Sequence, residues 1–216
     1  EGDTMKVLHT SDIHGNYPKV LAALAAGGFD VWVDTGDFFP NKTRGDRPEE
    51  VRYQNRWAIL KDLGARIASF LDGRPLISVG GNHDYISLAQ LVRDAGGIAF
   101  DMDEGAAVVN GKTFAGFREV PYLMGEWNGE THGSDFAPIV EATMAVNPDV
   151  LVTHAPPAGI LNNSAHGGVG QLTTALTWTD HKVGTHFFGH IHETQGVEAS
   201  MDIQFINGAG EARIHT

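Results

Sequence analysis

Five short clusters of aspartate, asparagine and histidine each follow an apolar run of the sequence. They are Asp12 to His14, Gly36 to Asp37, Gly80 to Asp84, His154, and Gly189 to His192. Carboxylate, amide and imidazole groups together are suitable ligands for divalent cations of intermediate hardness. Each cluster alone is explained as well by a turn or a surface loop. Five in order, each after an expected strand, predict a metal centre.

The spacing within the clusters suits a centre that holds two ions. In the Asp12-x-His14 and His190-x-His192 motifs, the two-residue offset directs both side chains to one side of an extended segment. Asp37 stands alone after its strand. Because a carboxylate has two oxygens, we expect Asp37 to bridge the two ions.

The residue types also indicate a reaction. Two ions about 3.5–4 Å apart would clamp a phosphate group and lower the pKa of a shared water. Asn82 would add a neutral carbonyl oxygen to the ligands. The chain has no cysteine, and no serine-centred nucleophile elbow is visible. Hydrolysis of a phosphate ester by a metal-activated water is therefore the predicted reaction.

The clusters can meet only if the strands before them end at the same edge of a sheet, as they do in open α/β sheets. Apolar runs predict strands at 5–9, 29–33, 76–79, 150–153 and 186–188, and hairpins at 106–117 and 196–206. Helical spacing predicts helices at 18–26, 48–71, 86–95, 134–146 and 172–178. This alternation predicts an α/β or α+β sandwich with its helices outside.

Several details of the helices can be predicted as well. The longest, 48–71, carries an apolar stripe that we expect to be buried along its whole length. The stripe consists of Tyr53, Trp57, Leu60, Leu63, Ile67, Phe70 and Leu71. Asn16 is a candidate cap for the first helix, with Pro18 in its first turn and Gly27 at its end, and Ser134 is expected to cap the helix that ends near Val146.

Composition limits the class of protein. The 216 residues are 42 % hydrophobic and 19 % charged, as in globular proteins, and no apolar run approaches the ~20 residues of a membrane span. The net charge of −12 argues against extended nucleic acid as a partner. We expect one domain over residues 5–216, with residues 1–4 artificial, and a cytoplasmic location, since no secretory signal is visible. The oligomeric state is not determined by the sequence.

The combined motifs resemble the signature of the calcineurin-like metallophosphoesterase superfamily, and they span residues 12 to 192. The resemblance implies a four-layer αββα sandwich and attack by metal-bound hydroxide on a small phosphate ester. It implies that Asp12, His14 and His192 bind the first metal, and that Asn82, His154 and His190 bind the second, with Asp37 bridging. His83 would contact the phosphate and assist the leaving group, and Asp84 would orient His83.

Departures from the family pattern indicate a branch. Gly36-Asp37 lacks the Asp-Arg-Gly continuation of Ser/Thr protein phosphatases and diadenosine-tetraphosphate hydrolases. The stretches 153–159 and 188–196 look like those of small phosphodiesterases, which include the brain-type enzymes and relatives of class III cyclic-nucleotide phosphodiesterases. A phosphodiesterase acting on cyclic or linear nucleotide-like substrates is expected. The alternatives are a broad-range phosphomonoesterase and a non-catalytic protein-binding scaffold. Manganese is favoured over iron, zinc, cobalt and nickel.

Further polar and aromatic residues have two interpretations each. Trp127 or Tyr122, in a loop with Asn128 and His132, could stack a nucleobase, although anchoring of the loop is favoured. The remaining candidates follow. A role in lining the substrate cleft is possible for Asn162, Asn163 and His166. An anion could be attracted by Lys42, Arg44, Arg47 and Arg118, although solvated positions are favoured. Structural or exposed positions are expected for His9, His181, His186 and His215.

Overall fold

The computed structural model describes residues 4–162, 167–178 and 180–216, which form thirteen strands and six α-helices. The strands are β1 (Val7–Thr10), β2 (Val31–Asp34), β3 (Leu76–Ser78), β4 (Ala99–Asp101), β5 (Ala107–Val109), β6 (Lys112–Phe117), β7 (Val120–Pro121), β8 (Glu130–Thr131), β9 (Val150–Thr153), β10 (Thr185–Phe188), β11 (Gly196–Ser200), β12 (Ile203–Asn207) and β13 (Ala212–His215). The helices are α1 (Tyr17–Ala26), α2 (Arg47–Leu60), α3 (Leu63–Leu71), α4 (Leu88–Asp94), α5 (Phe136–Ala145) and α6 (Gly170–Trp178). None of these helices is long and apolar enough to cross a bilayer.

Two sheets carry most of the strands. The first has the order β13-β1-β2-β3-β4, in which β1 to β4 are parallel and β13 pairs antiparallel with β1. The second has the order β11-β12-β10-β9-β6-β5, with four parallel strands between two antiparallel edges. Strands β7 and β8 form a separate short pair. In each sheet the parallel strands therefore bring their carboxyl ends to one edge.

Three apolar layers hold the sheets and helices together. Alternate residues of a strand face opposite sides, so β2 places Trp32 against helices α1 to α4 and Val31 and Val33 against the second sheet. On the second sheet, Leu151 packs with α5 and α6, whereas Val152 faces the first sheet. The order is helices, sheet, sheet, helices, which confirms the four-layer αββα sandwich.

The predicted helix 48–71 is wrong, because the chain breaks between α2 and α3. Asp62 has φ 49°, a left-handed conformation that cannot continue a right-handed helix. The break turns the apolar stripe away from the core, so Leu60 is 66 % exposed. After the break, Leu63, Ile67 and Leu71 are buried as expected.

Other helix ends also differ from expectation. Asn16 is at the N-cap position of α1 but makes no side-chain capping bond, while Pro18 and Gly27 begin and end the helix as expected. Ser134 does not cap α5, since it lies in a short 3-10 turn and donates to Asp135 at 3.2 Å.

Candidate metal centre

Loops after five strands bring the predicted ligands to one edge of the sandwich. Asp12 and His14 follow β1, Asp37 follows β2, Asn82 follows β3, His154 follows β9, and His190 and His192 follow β10. Two sets of ligand atoms lie within 4.8 Å of one another: Asp12, His14 and His192 form one triad, and Asp12, Asp37 and His154 form the other. The two triads share Asp12.

The backbone at these loops is strained. Asp12, His14, Asp37 and His190 have φ values of 54°, 45°, 56° and 69°, in the left-handed region. Such a conformation costs about 1–3 kcal/mol for a non-glycine residue and persists only where the surrounding structure enforces it. Four such residues at one edge indicate that the fold holds these side chains in fixed positions.

Asp37 lies between histidines of both triads. Its Oδ2 atom is 3.3 Å from His154 Nε2 and 3.8 Å from His14 Nε2, and its Oδ1 accepts from the His83 amide at 2.7 Å. Burial alone would raise the pKa of Asp37, but His154, His83 and His14 hold it below the usual range. The carboxylate is therefore ionised and contacts both sides of the site.

Asp12 is the shared member of the triads. Its Oδ1 is 3.2 Å from His192 Nε2, while its Oδ2 accepts from the Ser11 hydroxyl at 2.5 Å and from the His190 amide at 2.9 Å. Burial opposes ionisation, but the His192 hydrogen bond and the His154 charge lower the pKa of Asp12 below its usual value. A second ionised carboxylate is thus buried beside Asp37.

His154 has a defined tautomer. Its Nδ1 is 2.7 Å from the carbonyl oxygen of Thr35, which can only accept, so Nδ1 carries a proton and Nε2 faces Asp37 and Asn82. Asn82 Oδ1 is 3.1 Å from that Nε2 atom. Burial lowers the pKa of His154, but the charge and hydrogen bond of Asp37 outweigh it and raise the value to about 9. A divalent cation could replace the Nε2 proton, so the donor set fits a metal.

The remaining expected ligands lie beside these residues. The His190 ring is 5.0 Å from the His154 ring, and the His14 and His192 rings stack at 5.7 Å. The His14 and His192 side chains are 36 % and 52 % exposed. One side of the site is therefore buried and the other is open to solvent.

His83 lies against the carboxylates but is oriented differently from expectation. Its Nδ1 atom is 2.6 Å from Asn41 Oδ1, and its ring lies 4.1 Å from the Trp127 ring. Asp84 instead accepts from the amides of Phe38, Phe39 and Gly81, at 3.3, 3.0 and 3.0 Å. Asp84 therefore holds the Asp37 loop, and Asn41 takes the position expected for the orienting residue.

The buried face of α2 is polar because it supports these loops. Gln54 donates to the carbonyl oxygen of His83 at 2.7 Å and accepts from the Tyr85 amide at 2.8 Å. Glu50, also fully buried, accepts from the Lys42 amide at 2.9 Å and the Thr43 hydroxyl at 3.0 Å. Sequence reasoning missed both residues, although their four-residue spacing places them on one helix face.

A loop over residues 122–130 forms one wall of the site. The Glu130 carboxylate accepts from four backbone amides, those of Leu123, Met124, Gly125 and Trp127, at 2.6–2.9 Å. Burial would raise the pKa of Glu130, but these bonds lower it. Trp127 packs on His83, so the anchoring interpretation agrees with its contacts.

Asn128 connects this wall to the 82–84 loop. Its amide donates to the Asn82 carbonyl oxygen at 3.1 Å, and its side chain donates to that of Asp84 at 2.7 Å. Arg118 supports the same loop, donating to the carbonyl oxygens of Gly81 and Asp84 at 3.0 and 2.8 Å. Arg118 is thus neither a solvated side chain nor a free cation.

The other singled-out residues have separate positions. His9 and His186 are buried, with their Nε2 atoms 3.0 and 2.7 Å from the hydroxyls of Thr35 and Thr153, in agreement with structural roles. The remaining contacts follow: His181 lies 3.0 Å from the Leu176 carbonyl, His215 packs near His9, His132 stacks on Tyr122, and Asn162 accepts from the Gly159 amide at 2.9 Å. Asn163 and His166 lie outside the described residues.

The chain is similar to a protein-family model, to a related sequence and to a solved structure. A family model described as calcineurin-like phosphoesterase matches residues 5–194. UPF0046 protein K07C11.7 of Caenorhabditis elegans is 27 % identical over 224 aligned positions, covering 95 % of this chain and 69 % of that protein. The crystal structure of TT1561 of Thermus thermophilus matches with a TM-score of 0.64 at 13 % identity, covering 95 % of this chain and 89 % of that one. This last likeness concerns the fold alone.

Proposed function

The chain belongs to the calcineurin-like phosphoesterase family, and we propose that it is a two-metal phosphodiesterase that acts on small, nucleotide-like substrates. The observation that carries the proposal is the pair of triads that share Asp12, with Asp37 in contact with His14 and His154. A buried pair of carboxylates with histidines on both sides is a donor arrangement that suits two ions.

The expected ligands divide between two ions. Asp12, His14 and His192 would hold the first, and Asn82, His154 and His190 the second, with Asp37 between them. When bound, such ions supply an activated water and neutralise charge on the phosphoryl oxygens. The oxygen and nitrogen ligands are compatible with manganese, iron, zinc, cobalt and nickel, and manganese is the favoured metal among them.

His83 would act on the leaving group. Its Nε2 atom lies 4.0 Å from Asp37 Oδ2, at the edge of the ligand cluster. Its Nδ1 atom faces Asn41 Oδ1, so Nε2 is the atom that can contact an ester oxygen. Asp84 would position Asp37, because its carboxylate binds the amides of residues 38, 39 and 81, and Asn41 would orient the His83 ring.

The side chains paired with Asp12 and Asp37 favour diesters over monoesters. In the described part of the chain, no lysine or arginine forms an ion pair with Asp12 or Asp37. A diester carries one negative charge at neutral pH, whereas a monoester carries nearly two and needs more cationic neutralisation. The exposed side of the site at His14 and His192 would leave room for the second ester group.

Turnover with defined metals tests the proposal. Metal-free protein is reloaded with each of the five metals and assayed with bis-p-nitrophenyl phosphate and p-nitrophenyl phosphate. We expect kcat/KM for the diester to exceed that for the monoester at least tenfold. Faster monoester turnover would favour the phosphomonoesterase, and no turnover with any metal would favour the protein-binding scaffold. The cytoplasmic location expected from the sequence stays a prediction.

Two substitutions separate metal binding from leaving-group assistance. Asp37→Asn should lose activity together with bound metal, measured by elemental analysis, because it removes the charge between the two sides. His83→Ala should retain metal and lower kcat by about 10²–10⁴, the usual contribution of general acid catalysis. His181→Ala, away from the ligands, is the matched control. Loss of metal in His83→Ala would contradict the assigned roles.

A further inference from the structure

Two arginines at the rim of the site have only uncharged side-chain partners among the described residues. The Arg44 guanidinium lies 5.4 Å from the centre of the Trp127 ring and donates to Met124 Sδ at 4.0 Å. Arg47 Nη1 donates to Asn128 Oδ1 at 2.9 Å. Both arginines are exposed. Their positive charges are therefore held in place but not neutralised, in a chain whose net charge is −12.

The described acidic side chains around them form no ion pair with either arginine, although Glu126 lies beside Gly45 and Asp46, which accepts from the Glu49 amide at 2.9 Å, precedes Arg47. Glu130 binds the backbone amides of its own loop, and Glu50 binds the amides and hydroxyl of residues 42–43. Glu49 pairs with Lys42. Of the three cations that follow the Asp37 loop, Lys42 is thus neutralised, whereas Arg44 and Arg47 remain available to a ligand.

Each arginine contacts a residue that in turn packs on or binds the 82–84 loop. The Trp127 ring that supports Arg44 also packs on His83, at 4.1 Å between ring centres. Asn128, which binds Arg47, donates to the carbonyl oxygens of Asn82 and Asp84. A single side chain therefore separates each guanidinium from the catalytic loop 82–84.

From this arrangement we propose that Arg44 and Arg47 form an anion subsite that binds a second phosphate of the substrate. The inference rests on the proposed function and narrows it to phosphodiesters that carry a further phosphate beyond the scissile one, such as a linear dinucleotide with a terminal phosphate. A guanidinium presents a planar fork of donors that matches phosphate oxygens. Nucleobase stacking on Trp127 is not required, because its ring already contacts His83 and Arg44.

The subsite makes a limited contribution, because both arginines are exposed. Exposed ion pairs contribute roughly 1 kcal/mol, which corresponds to about a fivefold preference in kcat/KM. Salt screens such pairs, so the preference should decrease as the ionic strength rises from about 0.02 M to about 0.5 M, where the screening length is only a few ångströms.

The test compares three dinucleotides that differ by one phosphate. ApA, pApA and ApAp are hydrolysed by manganese-loaded protein, and kcat and KM are determined separately. We expect pApA or ApAp to exceed ApA about fivefold, through KM. The ratio should fall to about one in the Arg44→Gln/Arg47→Gln double variant and be partly retained in the corresponding double lysine variant, which keeps the charge.

The Arg56→Gln/Arg66→Gln double variant, which removes the same two charges from exposed positions on α2 and α3, is the matched control and should keep the preference. Equal rates for all three dinucleotides, or a preference that survives the double glutamine variant, would overturn the subsite. If bis-p-nitrophenyl phosphate is not hydrolysed with any metal, the proposed function fails by itself. In that case calorimetry measures the affinities of pApA and ApA for the manganese-loaded protein. The subsite predicts about fivefold tighter binding of pApA, and equal affinities would overturn it.

Discussion

The Oδ1 atom of Asn41 lies 2.6 Å from Nδ1 of His83, and this contact determines the tautomer of the histidine. The Asn41 amide nitrogen donates to the His83 carbonyl oxygen at 3.0 Å, so its Oδ1 must be the acceptor and His83 Nδ1 the donor. Burial lowers the pKa of His83. The neutral ring therefore donates through Nδ1, and only the protonated ring can donate through Nε2 to a leaving group.

Removing this contact should slow turnover without loss of metal. We expect Asn41→Ala to lower kcat about tenfold with a diester of poor leaving group, because the His83 ring loses its fixed orientation. The Asn41→Ala/His83→Ala double variant should be no slower than His83→Ala alone, since both changes remove one function. Asn55→Ala, exposed on α2, is the control. Additive losses in the double variant would contradict the coupling.

Gly81 should be required for the position of Asp37. A Cβ atom at residue 81 would overlap Asp37 Oδ1 and lie 2.5 Å from the Asp37 amide nitrogen. Gly81→Ala should therefore displace the carboxylate and reduce metal content and activity more than tenfold. At Gly133 a Cβ would meet nothing within 4 Å, so Gly133→Ala should behave as the native chain. Full metal content in Gly81→Ala would argue against a fixed Asp37.

Glu130 should hold the 122–130 loop in place. In Glu130→Ala, four amides lose their common acceptor, and we expect faster hydrogen exchange at residues 123, 124, 125 and 127. Because the same loop carries Trp127, kcat should also fall several-fold. Glu126→Ala, at a neighbouring exposed position, is the control. Unchanged exchange at these four amides would show that other contacts order the loop.

His186 should contribute to loss of stability in acid. Burial lowers its pKa from 6.5 to about 3, so in this pH range the unfolded chain takes up a proton that the folded chain does not. Its contribution is therefore fully present above pH 6.5 and falls by about 1.4 kcal/mol per pH unit well below that value. We expect His186→Leu to have a smaller acid slope in urea unfolding of chelator-treated protein between about pH 7 and 4. Equal slopes would contradict burial of a neutral ring.

The sequence predicted the parts of the site that depend on residue type and on position after a strand. Asp12 and Asp37 follow parallel strands of the first sheet, and strands of one sheet end at a common edge, so their convergence could be anticipated. His154 follows a strand of the second sheet, and its approach to them is a result of how the two sheets pack. The four-layer arrangement followed from the resemblance and is confirmed by the packing of Trp32 and Val33 on opposite sides of β2.

The supporting residues could not be predicted in the same way. Asn41, Glu50 and Glu130 act through hydrogen bonds to loop backbone, to a hydroxyl or to one ring, and such bonds leave no periodic pattern in the sequence. The break at Asp62 was missed because the apolar spacing continues across it and only the positive φ reveals it. The family resemblance assigns Asp84 to orient His83, but the Asp84 carboxylate binds the amides of residues 38, 39 and 81, and the contact of Asn41 with His83 could not be read from that resemblance.

The seven expected ligands come from both sheets, with four on the loops of the first and His154, His190 and His192 on those of the second. Ions bound there would link the two sheets more firmly than the hydrogen bonds that already join their loops, such as that of His154 to Thr35. Removal of the ions by a chelator would then weaken the contact between the two sheets before it affected the hydrogen bonds within either sheet. The rise in melting temperature on metal loading would accordingly report how strongly the ions hold the two sheets together.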